Sequence, residues 1–452
     1  MTNLPDWSAA VVPILAVQAF SAPKSGSPDM TRQGHIRVLY IGRILFRHRK
    51  RRGKDIAKGV SDLMADETYF ETLSGALDTA GIATPRLIID RSRLDRNIDC
   101  LKNSLSDETA FRVVVKSLPS TELISRVMKK TRTDRLMTFN LPMLKFLSEH
   151  YPMADQLLGK PLPARAMDSF FSKIRPRNVL AHQNVQWLVD TEARLTQYLD
   201  IAERYATRIR VSLEIDIGLH RGGLVPGEEL DRVLSLLADH TRADLSGIMG
   251  YDLHVAHMQP DDGSKARADE HAKSVYREVL NRVEHFFGTE TLNLLVRNAA
   301  GSQTYSLWAN TDLANEVALG SALVKPSNFD CDALAEFEPA CFIATPVLKT
   351  WPYLALPGET ATSDASTTVF TYGGYWKADP VYPDGLSYHS DGRGRSSNQD
   401  MLLGNPGVQL APDDFVFLRP RQSEAVFLQF GEILVYEDGQ IVDEWPVLPP
   451  SA

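Results

Sequence analysis

Lys116 is the residue of this chain whose position best suits covalent chemistry. It ends the run Phe111–Lys116, whose other residues are apolar except for Arg112, and Ser-Leu-Pro follows it. An apolar setting disfavours the charged form of an amine and so favours the nucleophile that forms a Schiff base with an aldehyde. A lysine that only extends to solvent from a strand end would also fit this position. Position alone leaves both interpretations open.

A second candidate lies in the glycine-rich segment 214–223, Glu-Ile-Asp-Ile-Gly-Leu-His-Arg-Gly-Gly. Its glycines allow the backbone to approach a ligand closely. Arg221 lies among them and offers a rigid fork of donors to an oxygen anion. The alternative is an ordinary turn between a strand and a helix, with an exposed arginine.

His254 is the third candidate, in the segment Gly250-Tyr-Asp-Leu-His254. An imidazole with an ordinary pKa of about 6.5 can transfer protons or stack on an aromatic ligand. A structural histidine near a strand end is an equally good interpretation, and His257 competes for the same role. We rank His254 second to Lys116.

The elements that must position these residues alternate between β-rich and amphipathic helical stretches from Thr84 onward. That alternation is typical of parallel βα units. The β-rich runs are Leu87–Asp90, Phe111–Lys116, Leu136–Phe139, Gln156–Leu158, Trp187–Val189, Val211–Ile217, Ile248–Tyr251, Leu294–Arg297 and Glu316–Val317. Eight or so such units predict an α/β fold with a closed (β/α)8 TIM-type barrel. Chemistry in such a barrel lies at the C-terminal ends of the strands.

After about Pro326 the pattern changes to β-like runs separated by proline and glycine, which predicts a C-terminal antiparallel β-domain. The β-like runs are Phe342–Thr345, Thr368–Tyr372, Phe415–Leu418, Ala425–Phe430 and Ile433–Tyr436. We therefore divide the chain into four parts. These are a mobile N-terminal segment (1–35), a basic and helical extension (36–83), the barrel (84–326) and the β-domain (327–452).

Several of these features together resemble the D-serine dehydratase and D-threonine aldolase group of the alanine-racemase-like pyridoxal-5′-phosphate (PLP) enzymes. They are Thr84-Pro85, Leu87–Asp90, Leu94, Asn97 and the strand that ends at Lys116. The resemblance extends over nearly all of residues 84–448. It implies a PLP cofactor bound to Lys116 as a Schiff base, amino acids as substrates, and a homodimer.

The resemblance also implies the rest of the cofactor site. Arg221 corresponds to the family's arginine near the cofactor ring, and Tyr251 and His254 fall where the family has a tyrosine or histidine beside that ring. Two glycine-containing segments, 298–305 and 316–321, resemble the phosphate-binding loops of the family. The residues implied for phosphate binding are Gly301, Ser302, Gly320 and Ser321.

Two departures from the family bear on the reaction. Ala318 stands where alanine racemases have an arginine paired with the pyridine nitrogen, which argues against an alanine-racemase activity. Lyases of the group hold a metal with a Pro-x-His-x-Cys or Asp pattern, whereas this chain has Pro-Arg-Gln-Ser-Glu at 420–424. Gln422 is a poor metal ligand, although Glu424 offers an oxygen to a hard cation. We predict no zinc and consider a divalent metal doubtful.

A polar loop at 388–398 offers a replacement for the altered motif. His389, Arg393 and Arg395 are candidates there for a substrate-carboxylate clamp or an acid/base group.

Composition narrows the class of protein. With 43% hydrophobic and 23% charged residues, the chain is neither disordered nor membrane-embedded. Three scattered cysteines predict neither a disulfide framework nor a zinc site.

Residues 32–58 carry ten Lys/Arg and one acid, a local charge of +9 within a net charge of −8. We expect a solvated basic arm there, with no nucleic-acid binding and no firm membrane association. Acidic Asp6 before the weak apolar stretch 9–22 favours a cytoplasmic location over export.

The leading hypothesis is therefore a PLP-dependent lyase, of dehydratase or aldolase type, acting at Cα or Cβ of an amino acid, with the D configuration favoured. An amino-acid racemase is the first alternative. A non-catalytic PLP-binding protein is the second, and a degenerate barrel that serves only as a scaffold is the third.

Overall fold

A computed structural model describes five stretches of the chain: residues 67–173, 182–259, 262–353, 366–388 and 395–448. The predicted segment 1–35, the basic segment 32–58 and the extension 36–83 up to residue 66 lie outside the described residues. His389 and Arg393 lie outside them as well.

The described residues form seventeen strands, numbered in chain order. They are β1 (Arg86–Asp90), β2 (Ala110–Val114), β3 (Arg135–Thr138), β4 (Asp155–Leu158), β5 (Val185–Val189), β6 (Ile209–Ile215), β7 (Ala243–Gly250), β8 (Val296–Ala299), β9 (Glu316–Leu319), β10 (Cys341–Pro352), β11 (Thr367–Tyr372), β12 (Ala378–Tyr382), β13 (Leu386–Tyr388), β14 (Gln399–Gly404), β15 (Phe415–Pro420), β16 (Glu432–Glu437) and β17 (Gln440–Pro446).

Strands β2 to β9 form a closed, wholly parallel barrel. It closes where β2 pairs with β9, with Phe111 opposite Val317. Most of the barrel strands are followed by a helix that packs its apolar face on them. The part of the chain that the structure describes contains α-helices at 67–79, Arg91–Ser104, Thr121–Thr131, Leu141–His150, Ala164–Lys173, Glu192–Arg204, Glu228–Asp239, Leu253–His257, Ser264–Leu294, Tyr305–Trp308, Ser321–Val324 and Ser423–Val426. The predicted TIM-type barrel is confirmed.

The other nine strands, β1 and β10 to β17, form a separate and mostly antiparallel sheet, which confirms the predicted β-domain. One detail of the strand assignment was wrong. The pattern of Leu87–Asp90 predicts the first strand of the barrel. These residues lie instead in β1, which pairs with β10 and β16 of the second sheet. An apolar run shows that a strand is buried but does not show which sheet buries it.

A second predicted β-like run was also wrong. Most of the run Ala425–Phe430 lies in a helical turn, Ser423–Val426, and in the 3-10 turn that follows it, Phe427–Gln429. Val426 and Phe427 are adjacent in sequence, and both are fully buried. A strand would have sent these neighbours to opposite faces of the sheet, whereas the turn places both in the core.

The interior of the barrel contains a network of buried charges around Arg112. The side chains of Arg112 and Glu316 have no exposed surface, and Arg112 Nε donates to Glu316 Oε1 over 2.6 Å. Arg112 Nη2 lies 2.7 Å from Asp155 Oδ1. Burial by itself would raise the pKa of Asp155, but Arg112 and Arg210 lower it to about 2. The network joins β2, β4, β6 and β9 beneath the C-terminal end of the barrel.

Within the described residues, no helix is long and apolar enough to cross a membrane.

Candidate active site

A cavity opens at the C-terminal ends of the barrel strands, above the charged network. Alternate residues of a barrel strand face its interior, so that Arg112 and Val114 point inward in succession, and Lys116 follows them in the turn after β2. The cavity is lined mainly by residues from strand ends and the loops that follow them. They include Val114, Lys116, Ser117, Met137, Phe139, Gly159, Arg221, Met249, Tyr251, Asn298, Ala300, Gly301, Ser302, Ala318, Gly320, Ser321, Phe329 and Glu424.

Lys116 reaches this cavity from the 3-10 turn Val115–Ser117 rather than from the strand itself. Its Nζ lies 4.8 Å from the centre of the Phe139 ring and 3.4 Å from Glu424 Oε1. The side chain keeps 39% of its surface exposed. The amine therefore lies in the cavity, between an aromatic ring and a carboxylate.

Arg221 and Tyr251 form one side of the cavity. The guanidinium carbon of Arg221 lies 4.6 Å from the centre of the Tyr251 ring. Arg221 Nη2 lies 3.5 Å from Glu214 Oε1, a distance at the limit for a hydrogen bond. Burial raises the pKa of Tyr251, and Glu424 adds to that rise, while Arg221 opposes it. At neutral pH the phenol is thus a hydroxyl donor.

The two glycine-containing segments predicted from the sequence meet at the cavity. Ser302 Oγ accepts a hydrogen bond from the Ala322 N–H over 3.1 Å, which links one segment to the other. Ser321 Oγ donates to Ser117 Oγ over 3.0 Å, next to Lys116. Gly301, Ser302, Gly320 and Ser321 all line the cavity.

Both glycines in these segments are sites of close approach. A Cβ on Gly320 would lie 2.6 Å from the carbonyl oxygen of Val114, and one on Gly301 would lie 2.7 Å from the Tyr251 ring. Contacts this short are not tolerated between non-bonded atoms. The chain therefore needs glycine at both positions to keep the cavity in its present shape.

Asp252 holds one of these segments in place, a role that sequence reasoning missed. It is fully buried and accepts hydrogen bonds from Thr304 Oγ1 over 2.5 Å and from Trp308 Nε1 over 2.8 Å. Thr304 Oγ1 in turn accepts the N–H of Gly301 over 3.2 Å. Burial raises the pKa of Asp252, and these two donors oppose the rise. An acidic residue beside the cavity-lining Tyr251 was the available signal in the sequence.

His254 is not brought together with Lys116, because the described lining of the cavity does not include it. It lies in the short helix Leu253–His257, beside Gly218, where an added Cβ would come within 3.0 Å of its Nε2. Burial lowers the pKa of His254, with Asp252 opposing and His220 adding to that effect. Its competitor His257 is exposed.

Arg395, proposed above as a substrate clamp, has other partners. Its Nε donates to Asp400 Oδ2 over 2.7 Å, and its guanidinium carbon lies 3.6 Å from the centre of the Tyr388 ring. Its donors and its planar face are thus used within the β-domain.

The buried network was also missed by sequence reasoning, although the signal was present. Arg112 is a charged residue within an otherwise apolar strand, two positions before Val114 and therefore on the same inward face. Its partner Glu316 begins another strand, and only the closed barrel brings the two together.

Comparisons with known proteins agree on the fold. The family model described as "Alanine racemase, N-terminal domain" matches residues 89–328. A 3-hydroxy-D-aspartate aldolase of Paracoccus denitrificans (strain Pd 1222) is 26% identical over 196 residues, which are 41% of this chain and 49% of that protein. The chain thus matches about half the length of this curated relative.

Two solved structures resemble the chain over most of its length. A D-threonine aldolase from Filomicrobium marinum has a TM-score of 0.64 and 16% identity, covering 81% of this chain and 94% of its own. An alanine racemase of Clostridium difficile 630 has a TM-score of 0.60 and 14% identity, and the match covers 80% of this chain and 98% of the racemase chain. At these identities, the likeness shows a shared fold.

Proposed function

Because the chain belongs to the family of the alanine racemase N-terminal domain, we propose that it is a PLP-dependent lyase acting on a β-hydroxy amino acid, with the D configuration favoured. The observation that carries the proposal is the position of Lys116. Its amine enters the same cavity as the two glycine-containing segments, Arg221 and Tyr251. The homodimer implied by the family resemblance is part of the proposal.

The residues of the cavity fit pyridoxal phosphate. Gly301 and Gly320 leave room where any side chain would collide with neighbouring atoms. Serine hydroxyls and backbone N–H groups of the two segments suit a phosphate, which would be held by Gly301, Ser302, Gly320 and Ser321. Lys116 would supply the amine that bonds to the cofactor aldehyde.

Each of the other cavity residues would have a defined task. Tyr251 would lie beside the cofactor ring, and Arg221 would direct its donors at an oxygen anion. Lys116, once released, would take or return a proton at Cα of the substrate. When bound, the cofactor supplies the electron sink that makes bond cleavage at Cα or Cβ feasible. The buried Asp252 would keep the loop at Gly301 in position through Thr304.

The residues at the position of the family's metal motif do not fit a metal ion. Gln422 Oε1 accepts a hydrogen bond from the Lys377 ammonium, and Glu424 faces Lys116. A cation at this place would have to displace the Lys377 ammonium from Gln422 and would be repelled by it. In the parts of the chain that the structure describes, no cluster of three or more metal-ligating side chains suits an ion.

Gly320→Ala is expected to weaken cofactor binding about tenfold, or about 1.4 kcal/mol. The reason is that the new Cβ would push against the Val114 carbonyl oxygen and widen the gap between β9 and β2 at the phosphate site. Titration of the protein with PLP, followed by absorbance, measures the change. Gly75→Ala is the matched control, since a Cβ there meets nothing within 4 Å. Equal affinity for PLP in the two variants would show that Gly320 does not form part of the phosphate site.

Turnover assays test the function itself. Purified protein with PLP is incubated separately with D-threonine, D-serine, 3-hydroxy-D-aspartate and both alanine enantiomers, and the products are identified. An aldolase yields glycine and an aldehyde, whereas a dehydratase yields ammonia and a 2-oxo acid. Interconversion of the alanine enantiomers without cleavage of a hydroxy amino acid would show that the protein is a racemase and not a lyase. Stable PLP binding with no turnover would indicate a non-catalytic PLP protein.

A further inference from the structure

The carboxylate of Glu424 lies against the amine of Lys116, although 308 residues separate them in the chain. We propose that Glu424 is the acid–base partner of Lys116: it accepts a proton from the Lys116 amine and returns it. This inference rests on the proposed function, because it assigns a task at the same site. Of the described residues that line the cavity, Glu424 alone carries a carboxylate.

The geometry favours proton exchange between these two groups. Glu424 Oε1 lies 3.4 Å from Lys116 Nζ, slightly longer than a normal charge-assisted hydrogen bond. Side chains in uncomplexed sites often approach to bonding distance only when the substrate is present. Glu424 keeps 30% of its side-chain surface exposed, and Lys116 keeps 39%. Both groups therefore face the space in which a reaction would occur.

The β-domain holds Glu424 at this place. It lies in the turn Ser423–Val426, and the buried residues Ser423 and Val426 fix that turn on either side of it. Ser423 Oγ lies 3.4 Å from Glu424 Oε2 and 3.4 Å from Ser321 Oγ in the phosphate-binding segment. Glu424 thus contacts the lysine directly and is linked to the predicted phosphate site through Ser423.

The proposed step needs no oxidant or co-reactant. The Lys116 ammonium must lose a proton before its nitrogen can attack a carbonyl carbon, so an N–H bond breaks and an O–H bond forms on Glu424. As the C–N bond forms, the carbonyl oxygen leaves as water and takes up the protons lost by the nitrogen, including the one held by Glu424. When the lysine is released, the proton returns along the same path. General acid–base assistance of this kind accelerates a step by about 100-fold or more.

A purely structural ion pair between the two domains is the competing explanation, and variants of the full-length chain separate the two. Glu424→Gln keeps the size of the side chain but removes proton exchange, and Glu424→Asp retains the carboxylate. Glu424→Ala leaves space for added formate. Glu278→Gln is the control, since Glu278 pairs with Arg282 at 3.3 Å on the surface, away from the cavity.

The measurement is the rate at which saturating PLP becomes attached to the protein, followed by visible absorbance and by borohydride trapping. We expect attachment to slow about 100-fold in Glu424→Gln and less than about tenfold in Glu424→Asp. Formate should restore at least part of the rate in Glu424→Ala, and Glu278→Gln should behave like the unchanged protein. A thermal melt of each variant shows whether the fold is intact.

Attachment at the normal rate in Glu424→Gln would overturn the role of Glu424 and leave the proposed function standing. Slow attachment with a lowered melting temperature and no rescue by formate would also overturn it, in favour of the structural ion pair. Absence of the chromophore in the unchanged protein would overturn both proposals together.

Discussion

Lys116→Ala is expected to abolish covalent attachment of pyridoxal phosphate and to lower turnover about 1,000-fold or more. The physical reason is that Lys116 is the single lysine among the described residues that line the cavity. Removing its amine removes both the group that bonds to the aldehyde and the base nearest to it. The two glycine-containing segments proposed to bind the phosphate remain, so we expect the cofactor still to bind non-covalently.

Visible spectra before and after borohydride reduction, followed by peptide mapping, measure this effect. The modified peptide of the unchanged protein should contain Lys116. Lys145→Ala serves as the control, because Lys145 lies in the helix Leu141–His150 and its Nζ contacts Ser169 outside the cavity. A borohydride-stable label on another lysine, or an unchanged linkage in Lys116→Ala, would refute the assignment.

Arg112→Met is expected to destabilise the fold by about 3 kcal/mol or more, the usual range for removing one partner of a buried ion pair. Glu316 has no exposed surface, so its charge would lose its strongest partner without gaining water. Arg135 and Asn298 would still donate to Glu316, which limits the loss. Chemical denaturation monitored by circular dichroism gives the free energy of unfolding.

Arg208→Met provides the comparison for this measurement. Arg208 also pairs with a carboxylate, that of Asp244, but their side chains are 62% and 47% exposed. Exposed pairs contribute at most about 1 kcal/mol. If the two substitutions cost the same, the network in the barrel does not stabilise the fold as its burial implies. A double variant, Arg112→Met with Glu316→Leu, should recover part of the lost stability, because the fully buried charge of Glu316 is removed together with that of Arg112. Arg135 then loses its bond to Glu316, but its side chain is 35% exposed and can be hydrated.

Local patterns in the sequence were enough to predict the barrel and the β-domain. Alternating strands and amphipathic helices predict parallel βα units because each element must bury one face. Lys116 was a candidate because it ends a predicted barrel strand, and chemistry in such barrels lies where the strands end. Gly301 and Gly320 were singled out through the family resemblance rather than by a local pattern, and the structure brings both to the cavity.

Contacts between distant parts of the chain were decided only by the tertiary structure. The sequence pattern of β1 is that of any buried strand, and only its pairing with β10 and β16 places it in the second sheet. The sequence indicated Glu424 only as an oxygen ligand for a metal ion. Its contact with Lys116 depends on how the β-domain packs on the barrel. The cavity lining likewise excludes His254 because the short helix that carries it directs it elsewhere. Periodicity determines which side of an element is buried, whereas packing across hundreds of residues determines what that side meets.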